Sequence, residues 1–133
     1  IMERGDAKHL VQVGIRTMNY HCREQAERFG VDVVEMGDFV AANVPVPDAP
    51  LYISIDLDAL DPAFAPGVSH YEPGGLSVRD LLAVLHRVSA PIVGADIVEY
   101  NPSRDVNGMT ATVAAKLAKE VMALAADAGR FGA

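Results

Sequence analysis

Short apolar runs rich in β-branched residues alternate along this chain with stretches that have helical patterns. Four runs have the length and composition of buried strands, at residues 10–16, 31–36, 51–57 and 91–100. Helical patterns lie between or after them, at residues 20–30, 78–88 and 109 to about 126. This alternation predicts an α/β fold whose parallel sheet is covered by helices on both faces. In such sheets ligands bind beyond the carboxyl ends of the strands.

Several helix ends carry recognisable sequence signals. Gly30 follows a polar helical segment and is well placed to end it. Ser77 is followed three residues later by Asp80, and this loose capping box predicts that a helix begins at residue 78. The segments 38–50 and 58–76 are rich in proline or glycine and are predicted to be connections.

Two carboxylates lie at the end of the third predicted strand. Side chains two residues apart on a strand point to the same side of the sheet. Asp56 and Asp58, which are about 7 Å apart along the backbone, are therefore expected to face the same region of space. Two bare carboxylates in a partly buried site repel each other, and a divalent metal such as Mg²⁺ or Mn²⁺ removes the conflict. Glu99 follows the fourth strand, and its carboxylate is expected at the same edge of the sheet.

Simpler readings of these acidic residues remain open at this point. An Asp-x-Asp pair at a strand end is often a turn former or a helix cap. A phosphoryl-transfer site is also possible, although the sequence has no glycine-rich phosphate loop. An EF-hand is excluded because the twelfth residue counted from Asp56 is Gly67 rather than glutamate. Glu99 alone could equally be one partner of a surface ion pair.

Composition narrows the class of protein further. The net charge of −7 argues against binding to nucleic acid or to an anionic membrane, since both favour clustered Lys and Arg. Cys22 is the single cysteine, so no disulfide can form within the chain, which fits a reducing cytosol. We therefore expect a cytoplasmic protein. The chain begins as if within an element already under way, which suggests a piece of a longer protein.

The block from residue 54 to residue 75 resembles the signature of the ureohydrolase family, which includes arginases and agmatinases. The matching positions are Ser54, Ile55, Asp56, Leu57, Asp58, Pro62, Pro66, Gly67 and Gly75. Further stretches at 12–16, 67–77 and 94–105 are most similar to plant-type arginases and their bacterial relatives. The resemblance implies a three-layer α/β/α fold with a doubly wound parallel sheet.

The resemblance also implies roles for individual residues. Asp56 resembles the carboxylate that bridges two Mn²⁺ ions, and Asp58 resembles a ligand of one of them. Glu99 resembles the glutamate that binds the guanidinium group of the substrate. His70 lies in the loop that contacts the far end of the substrate, where many arginases have threonine, and it could equally be an exposed loop histidine. Asn19 lies where many arginases place an acidic residue near the substrate's α-amino group.

Part of the family's metal centre is absent from the sequence. The family's remaining ligands, a histidine and an Asp-x-His-x-Asp group, lie earlier in the family's chains, as does its proton-shuttling histidine. We therefore interpret residues 1–133 as the C-terminal portion of a single ureohydrolase domain, with the remaining ligands expected upstream of residue 1. We expect the isolated chain to be inactive, and we assign no catalytic residue within it. The full-length protein is expected to form trimers or hexamers.

The resemblance favours the hydrolysis of L-arginine to L-ornithine and urea by a binuclear Mn²⁺ enzyme with a small cationic guanidino substrate. The nearest alternative is an agmatinase, which releases urea from agmatine. A different alternative is a truncated half-domain that is inactive, with an interaction role or none. Outside the site, Asp61 is expected to start the loop geometry, and His86 is expected to be solvated.

Overall fold

The computed structural model describes the backbone of residues 1–130 and the side chains of residues 1–127. Residues 131–133 of the predicted domain lie outside this range. Seven regular elements follow one another along the chain. They are β1 (Val11–Ile15), α1 (Tyr20–Phe29), β2 (Asp32–Glu35), β3 (Leu51–Asp56), α2 (Val78–Leu85), β4 (Ile92–Val98) and α3 (Met109–Arg130).

The predicted elements are all present, and local signals set several of their ends. Gly30 ends α1 in the left-handed conformation, with φ of 61°. The capping box at the start of α2 is complete, since the Ser77 side chain accepts from the Asp80 N–H and the Asp80 side chain accepts from the Ser77 N–H. The segment predicted as a connection at 38–50 contains a short turn of 3-10 helix at Ala41–Asn43, and another such turn, Met36–Asp38, ends at its first residue.

The four strands form two parallel pairs. β1 pairs with β2, and β3 pairs with β4, so each strand has one neighbour among the described residues. In the second pair Asp56 lies opposite Val98, so the chain leaves both strands at the same edge. The side chains of Tyr52 and Ser54 donate hydrogen bonds to Asp96 of the neighbouring strand, at 2.9 and 2.6 Å.

The hydrophobic core lies between β3 and the helices α2 and α3. Its buried members come from β3, from the loop that follows it and from both helices. They are Ile55, Leu57, Leu60, Ala65, Val68, Leu76, Leu85, Leu117 and Val121. Since five of these nine residues belong to the segment 57–76, the Pro/Gly loop is anchored in the core rather than lying loosely on the surface. Among the described helices, none is both long enough and apolar enough to cross a bilayer.

Candidate metal and substrate site

The acidic turn begins where β3 ends. Asp56 is the last residue of the strand, and residues Leu57–Ala59 form one turn of 3-10 helix. The Asp56 Oδ1 atom accepts a hydrogen bond from the Asp58 N–H at 3.0 Å. The Leu57 side chain, between the two aspartates, is fully buried. Burial of this leucine turns both carboxylates away from the core.

Three of the predicted site residues meet beyond the carboxyl ends of β3 and β4. Asp58, His70 and Glu99 each offer one ligand atom, and these atoms all lie within 4.8 Å of one another. They come from the turn after β3, from the Pro/Gly loop and from the end of β4. Carboxylate oxygens and an imidazole nitrogen suit a borderline divalent ion such as Mn²⁺. The cluster therefore suits a cation, with Asp58 as the candidate metal ligand and with Glu99 and His70 as candidates for holding a cationic substrate.

The other two predicted site residues are engaged locally. Asp56 is not part of this group of three, and one of its oxygens is used by the Asp58 N–H. Asn19 caps the start of α1, where its Oδ1 atom accepts from the Cys22 N–H at 2.9 Å. The roles predicted for Asp56 as a metal ligand and for Asn19 as a substrate contact stay predictions.

Glu99 has an uncommon backbone conformation. Its φ angle is 64°, in the left-handed region that non-glycine residues rarely adopt. Such conformations cost about 1–3 kcal/mol and are concentrated at functional sites. Glu99 directly follows β4, and its conformation changes the direction of the chain at the point where its carboxylate lies close to that of Asp58.

The electrostatics of the site favour a bound cation. Burial raises the pKa of Asp58 above its ordinary value, and the Asp56 charge, a side-chain hydrogen bond with Asp56 and the Glu99 charge raise it further. Arg16 has the opposite effect on this pKa, but it is the smallest of the contributions. A divalent ion among these carboxylates would offset their repulsion and favour the ionised form of Asp58.

Sequence reasoning missed Arg16, which supports the acidic turn. Its Nη1 atom donates to the carbonyls of Ala59 and Leu60 at 3.1 and 3.4 Å, and its Nη2 atom donates to the carbonyl of Asp58. Its Nε atom is buried and has no hydrogen-bond partner among the described residues. Arg16 could have been singled out from the sequence because it is an arginine at the end of an apolar strand. If that strand is buried, the guanidinium must find hydrogen-bond acceptors nearby.

The sequence predicted that Asp61 starts the loop geometry, and the structure shows that its carboxylate also holds the far end of the Pro/Gly loop. Its carboxylate accepts from the N–H groups of Ala63 at 2.9 Å, Gly74 at 2.7 Å and Gly75 at 3.3 Å. The hydrogen bonds from Ala63 and Gly74 are the main reason that the pKa of Asp61 lies below its ordinary value. The ionised carboxylate thus joins the two ends of the loop that carries His70.

The substitution Asp61→Asn is expected to destabilise the chain near neutral pH, because an amide oxygen is a weaker acceptor for these N–H groups. Since the folded pKa of Asp61 is lowered, its stabilisation is complete above the ordinary aspartate value of about 3.9 and is lost as the pH falls through the folded pKa. Urea denaturation at several pH values should therefore show wild type and variant converging under acid conditions. Asp48→Asn, at an exposed position, is the matched control. A difference that stayed constant down to the most acid pH would contradict this role.

The fold is α/β, and carboxylates and an imidazole lie together beyond the carboxyl ends of its parallel strands. These features define an α/β protein with a candidate metal centre. The profile of the Arginase family matches residues 1–124. The chain belongs to the Arginase family.

Individual relatives agree with this assignment. Arginase 1 of Arabidopsis thaliana is 56% identical over 131 residues, which cover 92% of this chain and 38% of that protein. Guanidinopropionase of Pseudomonas aeruginosa is 38% identical over 136 residues, covering 92% of this chain and 42% of that protein. A triple mutant of the T. brucei arginase-like protein, solved with bound Mn²⁺, superimposes with a TM-score of 0.84 at 35% identity, covering 90% of this chain and 43% of that one. The arginase-like fold predicted from the sequence is confirmed.

The relatives contradict one expectation. The Arabidopsis relative is named as a mitochondrial arginase, and a second arginase of that plant is named as chloroplastic/mitochondrial. The expectation of a cytoplasmic protein is therefore wrong, and these names point to an organelle. A single exposed cysteine led to the error, because a low cysteine content does not distinguish the cytosol from the interior of an organelle.

Proposed function

We propose that these residues are the C-terminal portion of a Mn²⁺-dependent ureohydrolase that hydrolyses L-arginine to L-ornithine and urea. The observation that carries the proposal is the meeting of Asp58, His70 and Glu99 within 4.8 Å, in a chain of the Arginase family. The chain spans only 38% of the length of its Arabidopsis relative, so the activity belongs to a longer protein that contains these residues.

Within that protein, Asp56 and Asp58 would be acidic ligands of a pair of Mn²⁺ ions, and the remaining ligands would come from the part of the protein that precedes these residues. When bound, such ions supply a nucleophile from water near neutral pH and stabilise the negative charge that develops on the substrate. The Mn²⁺ named for the T. brucei structure supports the choice of metal.

Glu99 would orient the substrate. A carboxylate can accept a forked pair of hydrogen bonds from a planar guanidinium, and this contact fixes the position of the central carbon. Because Glu99 lies beside Asp58, the guanidinium would be brought next to the metal ligands. The backbone strain at Glu99 is consistent with a carboxylate that is positioned for binding rather than for stability.

His70 and Asn19 would also contact the substrate, His70 beside Glu99 and Asn19 at the far end. At the position predicted to lie near the substrate's α-amino group, the Asn19 Oδ1 atom already accepts from the Cys22 N–H, so its amide NH₂ is left to donate to the adjacent α-carboxylate of arginine. Agmatine has no such carboxylate, which makes agmatinase the second candidate activity. The guanidinopropionase among the relatives shows that another guanidino acid also has to be tested.

Two features of the whole protein complete the proposal. We propose that the full-length protein forms trimers or hexamers. The net charge of −7 favours a small cationic substrate over nucleic acid or an anionic membrane surface. The remaining alternative is a truncated half-domain that is inactive, whose function would be an interaction or none.

The decisive experiment measures urea release by the longer protein, loaded with Mn²⁺, from arginine, agmatine and 3-guanidinopropionate. We expect arginine to be the preferred substrate. Glu99→Gln should lower kcat/KM on the order of 100-fold while the Mn²⁺ content is unchanged, because it removes a charged contact to the substrate. Asp58→Asn should lower the Mn²⁺ content itself. Glu24→Gln, on the exposed side of α1, is the matched control and should leave both quantities unchanged.

Three results would count against the proposal. They are a longer protein without bound Mn²⁺, a preference for agmatine or guanidinopropionate, and urea release by residues 1–133 alone. The last would show that the expected upstream ligands are not needed.

A further inference from the structure

The carboxylate of Glu72 lies beside the candidate site without belonging to the group of Asp58, His70 and Glu99. Its side chain is exposed, and it lines a cleft of about 550 Å³ together with Asp58. No ion pair among the described side chains includes Glu72. Its negative charge is therefore available to a cationic group of a ligand.

One oxygen of this carboxylate is held at the end of β1. The Thr17 hydroxyl donates a hydrogen bond to the Glu72 Oε1 atom, although the two residues are 55 positions apart. Thr17 follows Arg16, which is itself bound to the carbonyls of the turn after β3. A hydrogen bond to an ionised acceptor is stronger than one between neutral groups, so this contact orients the carboxylate. The Oε2 atom keeps its capacity to accept from a ligand.

The backbone that joins His70 to Glu72 is fixed on both sides. On the side of His70, the Ser69 hydroxyl accepts a hydrogen bond from the Asn101 side chain at 3.0 Å. On the side of Glu72, Pro73 restricts the preceding residue to an extended conformation. Because two steps along the backbone span at most about 7 Å between Cα atoms, Glu72 is presented at a short and defined distance from His70.

This distance matches a ligand that carries a positive charge at each end. The His70 ring lies within 4.8 Å of the Glu99 carboxylate, where the guanidinium is proposed to bind. In extended arginine the guanidinium carbon and the α-nitrogen are also about 7 Å apart, since as many bonds separate them as separate Cα atoms two residues apart. A substrate whose guanidinium contacts Glu99 can therefore place its ammonium group beside Glu72.

We propose that Glu72 binds the ammonium group at the far end of the substrate. The inference rests on the proposed function, because it requires a guanidinium bound at Glu99, and it adds a residue that selects the substrate. Thr17 connects this contact to Asn19, two residues further on, whose amide NH₂ is left for the α-carboxylate. Glu72 therefore favours arginine and agmatine, which both carry an ammonium group, over guanidino acids that lack one.

The competing explanation is that Glu72 only holds the loop in place through its hydrogen bond with Thr17. A purely structural role of this kind would affect all guanidino substrates to a similar extent. A charged contact affects only those substrates that carry an ammonium group. The identity of the substrates that are affected therefore separates the two explanations.

The test measures urea release by the longer protein, loaded with Mn²⁺, from arginine, agmatine and 3-guanidinopropionate. Glu72→Gln keeps the shape of the side chain and an oxygen for the Thr17 hydroxyl, but it removes the charge. The KM values for arginine and agmatine should rise on the order of 10-fold, while kcat changes little. The KM for 3-guanidinopropionate should stay the same or fall, because its carboxylate no longer meets a like charge. Glu24→Gln should leave all three KM values unchanged, since it removes the same charge from an exposed position of α1.

Two substitutions of Thr17 test the orientation of the carboxylate. Thr17→Val has the same shape but no hydroxyl, and it should raise the KM values for arginine and agmatine by a smaller factor, about threefold. Thr17→Ser keeps the hydroxyl and should behave like the unaltered protein. Circular dichroism and the Mn²⁺ content establish that each variant folds and retains its metal centre. Identical KM values for the two Thr17 variants would overturn the role of this hydroxyl in orienting Glu72.

Calorimetry supplies a measurement on the unaltered longer protein, made at low temperature where urea release is slow. The protein loaded with Mn²⁺ should bind agmatine on the order of 10-fold more tightly than butylguanidine, which has the same carbon chain without the ammonium group. Equal binding of the two ligands would overturn the inference, as would equal effects of Glu72→Gln on all three substrates or a loss of kcat with KM unchanged. A protein that releases no urea from any substrate would instead contradict the proposed function, and the binding ratio would still decide the role of Glu72.

Discussion

Replacing Leu57 with alanine is expected to lower the free energy of unfolding by about 2–5 kcal/mol, which is the usual range for a fully buried leucine. The Leu57 side chain has 0% exposure and belongs to the same buried cluster as Leu60, Leu76 and Leu117. The truncation removes apolar contacts and leaves a cavity that a well-packed core closes only partly. Leu57 is the residue between Asp56 and Asp58, so the turn that carries both aspartates would lose the side chain that fixes it to the core.

Urea denaturation with linear extrapolation measures this loss. Met122→Ala is the control, since the Met122 side chain is 70% exposed, and it should change the stability by less than about 0.5 kcal/mol. Equal effects of the two substitutions would mean that the turn is not anchored through Leu57. A binding measurement with Mn²⁺ on the longer protein would then show whether loss of the anchor also weakens the metal centre.

The second large effect is expected for Gly75→Ala, which should destabilise the chain by about 1–3 kcal/mol or more through overpacking. A Cβ atom on Gly75 would lie 2.6 Å from the Asp61 N atom and 2.7 Å from the Leu60 carbonyl carbon, and it would also meet the Arg16 guanidinium. Backbone atoms cannot move aside as a flexible side chain can. The clash would separate two segments that are joined by the hydrogen bonds from Asp61 N–H to Leu76 O, at 2.9 Å, and from Leu76 N–H to Ala59 O, at 3.0 Å.

The matched control for this substitution is Gly37→Ala. No atom lies within 4 Å of a Cβ placed on Gly37, so the alanine should be tolerated. Thermal unfolding compares the two variants, and hydrogen exchange at the Asp61 and Leu76 amides shows whether the junction opens. If the two variants were equally stable, the close approach at Gly75 would not limit the chain.

Much of the local structure could be predicted because its causes lie within a few residues. The start of α2 depends on Ser77 and Asp80, three positions apart, and the end of α1 depends on Gly30. The acidic turn was recognised in the same way, from the spacing of Asp56 and Asp58. The resemblance to a known family then indicated which other residues act with Asp56 and Asp58, and the spacing alone does not indicate these.

The features that sequence reasoning missed depend on contacts between distant residues. Arg16 reaches carbonyls 42 to 44 positions further along the chain. Thr110 is fully buried within α3 because its hydroxyl accepts from the Gly67 N–H at 2.7 Å, and nothing in the alanine-rich helix pattern indicates this. His86 is exposed, as expected, but the sequence did not indicate that its ring lies 2.7 Å from the Glu120 carboxylate on α3.

The separation of the strands into two pairs was also beyond the sequence. The alternating pattern predicts parallel strands but does not give their order, and β2 and β3 are consecutive along the chain without being paired. The order of the strands depends on which strand edges form hydrogen bonds with each other. Residues outside these 133 can also pair with those edges.

The anchoring of segment 58–76 has a thermodynamic consequence for any ion or substrate that binds there. Ordering the backbone of one residue costs about 1–2 kcal/mol of entropy. Arg16, Asp61 and Thr110 fix this segment through hydrogen bonds within the protein, so that cost is met when the chain folds. A ligand arriving at Asp58 therefore encounters a rigid rim, and its affinity reflects the number and charge of the donor atoms rather than the immobilisation of a loop.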